Sequence, residues 1–314
     1  MSEQIVLIVN PAATRAHPNL RASAVTALAP LGLTGVMETT RAHGGRQLAA
    51  AACAEGATVV VAMGGDGTAN EVACGLVGTT TALAPLPAGS TNVFARALGW
   101  PHPARLALPA LITALQTPTF RDVTLGRIEA GGTDRAFCVN VGIGVAADTI
   151  HLVESRPWLK TRLRHLGVGG ATVVAAARAA RRGTTMTVTI DTEAARTLAT
   201  LLVACGAPYA YLGPRPLDLV PGAAFDGRLR WVGLHSSGFA QTAWVVAGAL
   251  RDGTHLRRDD VTEGWATQQI VVSCDRPLAV QADGEPLGWH THVRMSRGPT
   301  VRALVPTTRE TSGE

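Results

Sequence analysis

Apolar residues recur along this 314-residue chain in short runs, and the rhythm of the runs changes about a third of the way along. Before that point, strand-like runs at 5–9, 33–38, 58–63 and 82–86 alternate with helical patterns at 18–29, 47–54 and 93–98. A run that is apolar at every position reads as a strand buried on both faces, and its alternation with helices implies a parallel sheet. Pro18 suits the first turn of its helix, where a missing N–H costs nothing. From about residue 120 the pattern predicts strands at 121–128 and 135–141 joined by the turn Ala130, Gly131, Gly132, Thr133, and a hairpin of 185–190 with 197–204 around Asp191. Further strands are predicted at 228–233, 269–273, 278–282 and 293–305, with helical stretches at 146–182, broken near Pro157, and at 237–250. The expected architecture is an α/β N-terminal domain with a parallel sheet over 1–118. A mostly antiparallel β-sandwich or open barrel follows over 119–306, then a polar tail over 307–314.

The most informative stretch is the third run. Val59, Val60 and Val61 lead through Ala62 and Met63 into Gly64, Gly65, Asp66, Gly67 and Thr68, and a helical pattern with Asn70 and Glu71 follows. Glycines at the end of a buried strand let backbone N–H groups approach a ligand that a Cβ would keep away. The helix start adds unpaired N–H donors and a partial positive charge, which suit a phosphate. Asp66 stands where a carboxylate would hold Mg²⁺ or its waters. Asn10, Thr40, Gly64 and Gly89 all follow predicted strands, so their loops lie at the carboxyl end of the sheet, where such folds bind ligands.

Composition narrows the chemistry. Hydrophobic residues make up 46% of the chain and charged residues 16%, enough for a sizeable core. The net charge of +5 favours an anionic partner. Lys160 is the only lysine, so there is no Gly-Lys-Ser/Thr phosphate loop and no protein-kinase lysine. Cys53, Cys74, Cys138, Cys205 and Cys274 are dispersed, without the spacing of a zinc site or a disulfide framework, which implies a reducing compartment. The start of the chain lacks a basic leader, and no apolar run reaches the ~18 residues of a spanning helix. The stretch from Arg156 to Arg182 holds Trp158, Lys160, Arg162, Arg164 and further arginines, a composition that suits docking on an anionic bilayer or, equally, a solvated face.

These motifs, in this order, resemble the diacylglycerol kinase catalytic domain family, whose members include sphingosine, ceramide and bacterial lipid kinases. Asn10 and Pro11 with the small loop after them resemble its first nucleotide-binding loop. The string from Gly64 to Thr68 with Asn70 and Glu71 matches its central signature. Gly89, Ser90, Asn92, Ala95 and Arg96 resemble its third motif, and Asn140, Val141, Gly142, Ile143 and Gly144 the opening of its second domain. Asp226, Gly227 and Leu229, and then Asp283, Gly284 and Glu285, resemble its late motifs. Two departures stand out. Val93 occupies the place of an aspartate, which shifts metal binding towards Asp66 and Asp122. Ala12, Ala13 and Thr14 replace a Ser-Gly pair, leaving Thr14 to supply the hydroxyl.

The resemblance implies an enzyme: an ATP- and Mg²⁺-dependent lipid kinase that phosphorylates a hydroxyl of a diacylglycerol-like substrate, with the second domain carrying the lipid. It implies that Asn10, Pro11, Thr14, Arg15, Thr40, Gly64, Gly65, Asp66, Gly67, Thr68, Asn70, Glu71, Gly89, Ser90, Asn92 and Arg96 form the nucleotide site. Asp66 would hold catalytic Mg²⁺ and Glu285 would be the general base. Asp226, with the carbonyls of Ala223 and Arg228, would hold a second, structural ion. The implied partners are a lipid substrate and an anionic phospholipid bilayer, met from the cytoplasmic side as a peripheral protein, and not nucleic acid. A homodimer stays open. The alternatives are a soluble kinase resembling NAD kinase, which shares Gly-Gly-Asp-Gly, and a non-catalytic nucleotide or lipid sensor on the same fold.

Overall fold

A computed structural model describes residues 4–40, 44–154, 185–236, 238–251 and 253–307. Contacts divide the chain into two compact units, one of Met1–Val123 with Pro299–Glu314 and one of Thr124–Gly298.

The first unit is built on strands β1 (Ile5–Val9), β2 (Leu33–Glu38), β3 (Val59–Gly64) and β4 (Ala82–Pro87), in the parallel order β2-β1-β3-β4. Every residue of β1, β3 and β4 is buried, as their unbroken apolar runs require. Helix α1 (Pro18–Leu28) touches α5 (Ala104–Gln116), while α2 (Gly45–Ala54) packs on α3 (Asp66–Gly75); the short α4 (Val93–Ala97) lies between α3 and α5 in the chain. The pattern predicts nothing over 104–116, because Pro101, Pro103 and Pro109 punctuate it. A 13-residue helix forms there all the same, with Pro109 inside it and Ala104, Ala107, Leu108, Leu111, Ala114 and Leu115 as its buried stripe. The last strand of the chain returns to this unit, where Ala303 pairs in parallel with Leu83.

The second unit is antiparallel, as the sequence predicts. It contains β5 (Thr119–Ala130, shared with the first unit), β6 (Thr133–Phe137), β7 (Asn140–Ile143), β8 (Met186–Ile190), β9 (Arg196–Leu198) and β10 (Thr200–Ala204). It continues with β11 (Ala210–Leu212), β12 (Arg215–Leu217), β13 (Leu229–Leu234), β14 (Val261–Ala266), β15 (Gln269–Ala282) and most of β16 (Glu285–Val305). The run β14-β13-β10-β7-β15-β16 is antiparallel at each of its first four pairings and at β15-β16. Helix α6 (Val145–Glu154) packs on β15 and β7, and α7 (Phe239–Arg251) lies against β12. The predicted strand 135–141 is two strands, because the chain breaks at Cys138 and Val139. The predicted strands 269–273 and 278–282 are one, with a register shift between Ser273 and Leu278.

Candidate functional site

Parallel register brings the loops after β1, β3 and β4 to one edge of the first unit: Val9 lies opposite Met63, and Gly64 opposite Pro87. The loops are then tied together by named bonds. Asn10 donates its backbone N–H to Met63 O (3.0 Å) and its Nδ2 to the buried Thr68 Oγ1 (2.9 Å). Its Oδ1 accepts from Ala12 N–H (3.0 Å) and shapes the loop that follows. Gly64 O accepts from both Ala88 N–H (2.7 Å) and Gly89 N–H (3.1 Å). A Cβ on Gly89 would stand 2.6 Å from Gly65 Cα, and one on Gly64 would stand 2.4 Å from Thr68 Oγ1. Glycine is therefore required at these two positions by close approach, independent of any ligand.

Asp66 opens α3, with Gly65 as the extended N-cap. Its Oδ1 accepts from Phe94 N–H (2.9 Å) and its Oδ2 lies 3.4 Å from Thr91 Oγ1, so the third loop fixes the carboxylate from the far side. A carboxylate oxygen can accept more than one partner, and the amides of the first helical turn point out of the helix end beside it. This donor set fits Mg²⁺ and the phosphates of a nucleotide. Asn92 adopts a left-handed conformation (φ 50°) and is buried; it accepts Gly89 N–H at 2.8 Å and returns Nδ2 to Gly89 O at 2.9 Å. Arg15 N–H reaches Ala88 O (2.8 Å), and its Nη1 lies 2.8 Å from His102 Nε2.

In the second unit, Glu285 starts β16 just after Asp283 (φ 52°) and Gly284 (φ 81°). Its Oε2 pairs with Arg135 Nη1 at 2.8 Å, and it remains about half exposed. Asp283 is half-buried and accepts the N–H groups of Cys138 (2.6 Å), Val139 (2.8 Å) and Asn140 (3.1 Å). Burial pushes its carboxyl above the usual range, against the pull of those three N–H groups and of Arg135. Gln281 extends the network, accepting Gly284 N–H (2.8 Å) and donating to Asn140 Oδ1 (3.0 Å) and Tyr209 OH (3.1 Å). The turn that carries Glu285 is thus anchored to strands 140 residues earlier in the chain.

In comparison with known proteins, residues 4–128 match the diacylglycerol kinase catalytic domain. Over 68 residues the chain is 44% identical to a "probable lipid kinase YegS-like" of Cronobacter sakazakii, covering 20% of this chain and 23% of the relative. Over 83 residues it is 43% identical to a protein of the same name from Pseudomonas putida, covering 26% and 28%. The matched stretches thus span about a quarter of each curated relative. A solved diacylglycerol kinase from Bacillus anthracis shares the fold with a TM-score of 0.68 at 20% identity, over 96% of this chain and 97% of that one. A second solved structure from that organism gives 0.73 at 21%, with the same coverage.

Within residues 4–128, the structure joins Asn10, Arg15, Gly64, Asp66, Thr68, Gly89 and Asn92 through the bonds above, and Gly65 lies in close approach to Gly89. Gly67 lies in the first turn of α3. Pro11, Thr14, Thr40 and Ser90 are exposed loop residues at the same ends of the strands. Asn70 is buried beside Cys74, 3.6 Å from its Sγ, and Arg96 sits on α4. Glu71 turns to the start of α2, where its Oε2 accepts Gly45 N–H (2.8 Å). Asp122 is an exposed residue of β5. Both oxygens of Asp226 are taken by Arg228, through its backbone N–H (3.0 Å), Nε (2.9 Å) and Nη2 (2.6 Å). Burial raises this carboxyl, but the Arg228 bonds outweigh it and leave it below the usual range. With the Arg228 guanidinium on Oδ2 and the Arg228 backbone N–H on Oδ1, this carboxylate does not fit a second Mg²⁺, and Ala223 is buried. Among the described residues no three His, Cys, Asp or Glu side chains cluster for a metal. The basic stretch 156–182 lies outside the described residues. Among the described residues no helix is long and apolar enough to cross a membrane.

Three side chains absent from the sequence-predicted site enter it through long-range bonds: His102, Thr91 and Arg135. Thr91 lies inside the third motif, so its place there was available locally. His102 and Arg135 meet Arg15 and Glu285 across 87 and 150 positions, with no local signal.

Proposed function

We propose that this chain transfers the γ-phosphoryl group of ATP to a hydroxyl of a diacylglycerol-like lipid. The observation that carries the reading is the Gly64–Asp66 turn, closed against the Gly89 loop with its carboxylate fixed by Phe94 N–H. That arrangement offers backbone donors and one oriented carboxylate without any lysine, which is what a phosphate site needs when the charge is carried by a metal. Bound Mg²⁺ would neutralise charge on the transferring phosphoryl group. The chain's own part is to position: Asn10 fixes Thr68 and the first loop, Asn92 fixes the third loop, and Asp66 holds the ion. Glu285 takes the proton of the acceptor hydroxyl as general base, and Arg135 orients its carboxylate. The lipid is met at an anionic, cytoplasmic bilayer surface, with the arginine-rich stretch 156–182 as its docking segment on sequence grounds.

The test is transfer of labelled phosphate from ATP to a panel of dispersed lipids and to NAD. Label in a diacylglycerol-like lipid supports the reading. Label in NAD alone makes the chain a nucleotide kinase. Tight ATP binding with no transfer to any acceptor makes it a sensor.

A further inference from the structure

The loops of the nucleotide site meet at a histidine that none of the motifs includes. We propose that His102 is a positioning residue: its unprotonated Nε2 holds the Arg15 guanidinium and so locks the first loop onto the Gly89 turn for nucleotide binding. The proposal rests on the reading of this edge as a nucleotide site.

The geometry fixes the state of the ring. Arg15 Nη1 stands 2.8 Å from Nε2, and a guanidinium can only donate, so Nε2 must present its lone pair. Asn92 Nδ2 lies 3.3 Å from Nδ1. Its amide is held nitrogen-first by the reciprocal bonds to Gly89, so a second donor faces the other ring nitrogen. With Nε2 accepting, the neutral ring carries its proton on Nδ1, so it opposes one donor without a hydrogen bond there, whereas an imidazolium would aim an N–H at a donor on both sides. The charges bearing on the ring are Arg15 on the first loop and Arg96 on α4, both positive; with burial as the largest cause, they push its pKa below the usual histidine value. Arg15 is anchored at its other end by the bond from its N–H to Ala88 O. Neutral His102 therefore closes a chain from Ala88 through Arg15 to the ring. Protonation would break it at the Arg15 contact and release the guanidinium.

The experiment measures KM for ATP and kcat from about pH 5 to about pH 8 for the wild type, His102→Gln and His102→Leu, with dispersed diacylglycerol as acceptor. The wild type should show KM for ATP rising towards the acid end of the series, at pH values below the ordinary histidine range, with kcat little changed. Glutamine can accept from Arg15 but cannot titrate, so H102Q should keep the wild-type KM at neutral pH and lose the acid rise. Leucine offers no acceptor, and H102L should raise KM about tenfold at every pH, the loss of one hydrogen bond to a charged group. An acid rise that persists in H102Q, or a wild-type KM in H102L, overturns the proposal. If H102L does not fold, the acid limb of H102Q decides alone. If the wild type transfers no phosphate, ATP affinity by calorimetry over the same pH series replaces KM, which separates this proposal from the identity of the acceptor. A wild type that binds no ATP removes both.

Discussion

Replacing Asp283 by asparagine tests whether the turn before Glu285 is held by a half-buried carboxylate. Asparagine tolerates the left-handed conformation at this position (φ 52°), so the backbone can stay as it is. The side chain is nearly isosteric, but one acceptor oxygen becomes an NH₂ donor. The remaining oxygen can serve Val139 and Asn140, which both bond Oδ1, and the new NH₂ then faces Cys138 N–H at the 2.6 Å site. One buried N–H is orphaned, which costs about 1–3 kcal/mol, and relief of the carboxylate's desolvation offsets part of it. The net loss should be about 1 kcal/mol, or a fall in Tm of roughly 1–2 °C at this size. Asp283→Ala orphans all three N–H groups and should cost more. Asp134→Asn is the control, since its pairing with Arg127 is exposed and screened by solvent and should leave Tm nearly unchanged. Thermal unfolding by circular dichroism reads all three. If Asp283→Asn unfolds at the wild-type temperature, or above it, the carboxylate is not what pins residues 138–140 to this turn.

Asp66→Asn keeps an acceptor for Phe94 N–H, so the protein should fold while phosphoryl transfer falls on the order of 10²-fold or more; near wild-type turnover at saturating Mg²⁺ would refute the assignment. Glu285→Gln should lower kcat by about 10²–10⁴-fold with ATP affinity preserved, and a parallel loss of ATP binding by calorimetry would make Glu285 a structural residue. Asp191 is pushed up by burial but more than offset by the N–H groups of Thr267, Gln268 and Gln269 and the Thr267 hydroxyl, so its folded pKa is lowered. The stability it gives is present above the unfolded value near pH 4 and lost as pH falls through the folded value, so Asp191→Asn should flatten the acid limb of a Tm-against-pH curve; an unchanged limb counts against it. Binding to vesicles containing anionic lipid should weaken as salt rises and on reversal of Arg162 and Arg164 to glutamate, and insensitivity to both would place docking elsewhere.

The sequence was most legible where structure is local. Val59, Val60 and Val61 are β-branched and apolar at every position, so only a strand buried on both faces accommodates them, and β3 is that strand. The glycines after it are needed within a few residues of where they stand. The antiparallel character of the second unit was readable from turn residues such as Gly131 and Gly132, both at positive φ. What stayed hidden depends on distant partners. Helix 104–116 carries a regular apolar stripe, but three prolines mask it locally, and its place beside α1 is what makes it a helix. The break between β6 and β7 exists because Asp283 collects the N–H groups there. Asp226 looked like a metal ligand from its motif; the arginine two residues on occupies it instead.

The return of β16 to the first unit has a consequence for synthesis on the ribosome. The edge of β4 that pairs with Ala303 is filled by residues near the end of the chain, where Val301, Ala303 and Leu304 are buried. When residues 4–128 emerge, β4 is still an open edge, a template for pairing with another nascent chain. The stretch that the family profile recognises is therefore a unit of descent rather than a unit of folding. The parallel sheet waits for the whole second unit to be translated before its last strand arrives. Expression of residues 4–128 alone should yield aggregating material, whereas the same residues joined by a short linker to 299–307 would carry the missing edge with them.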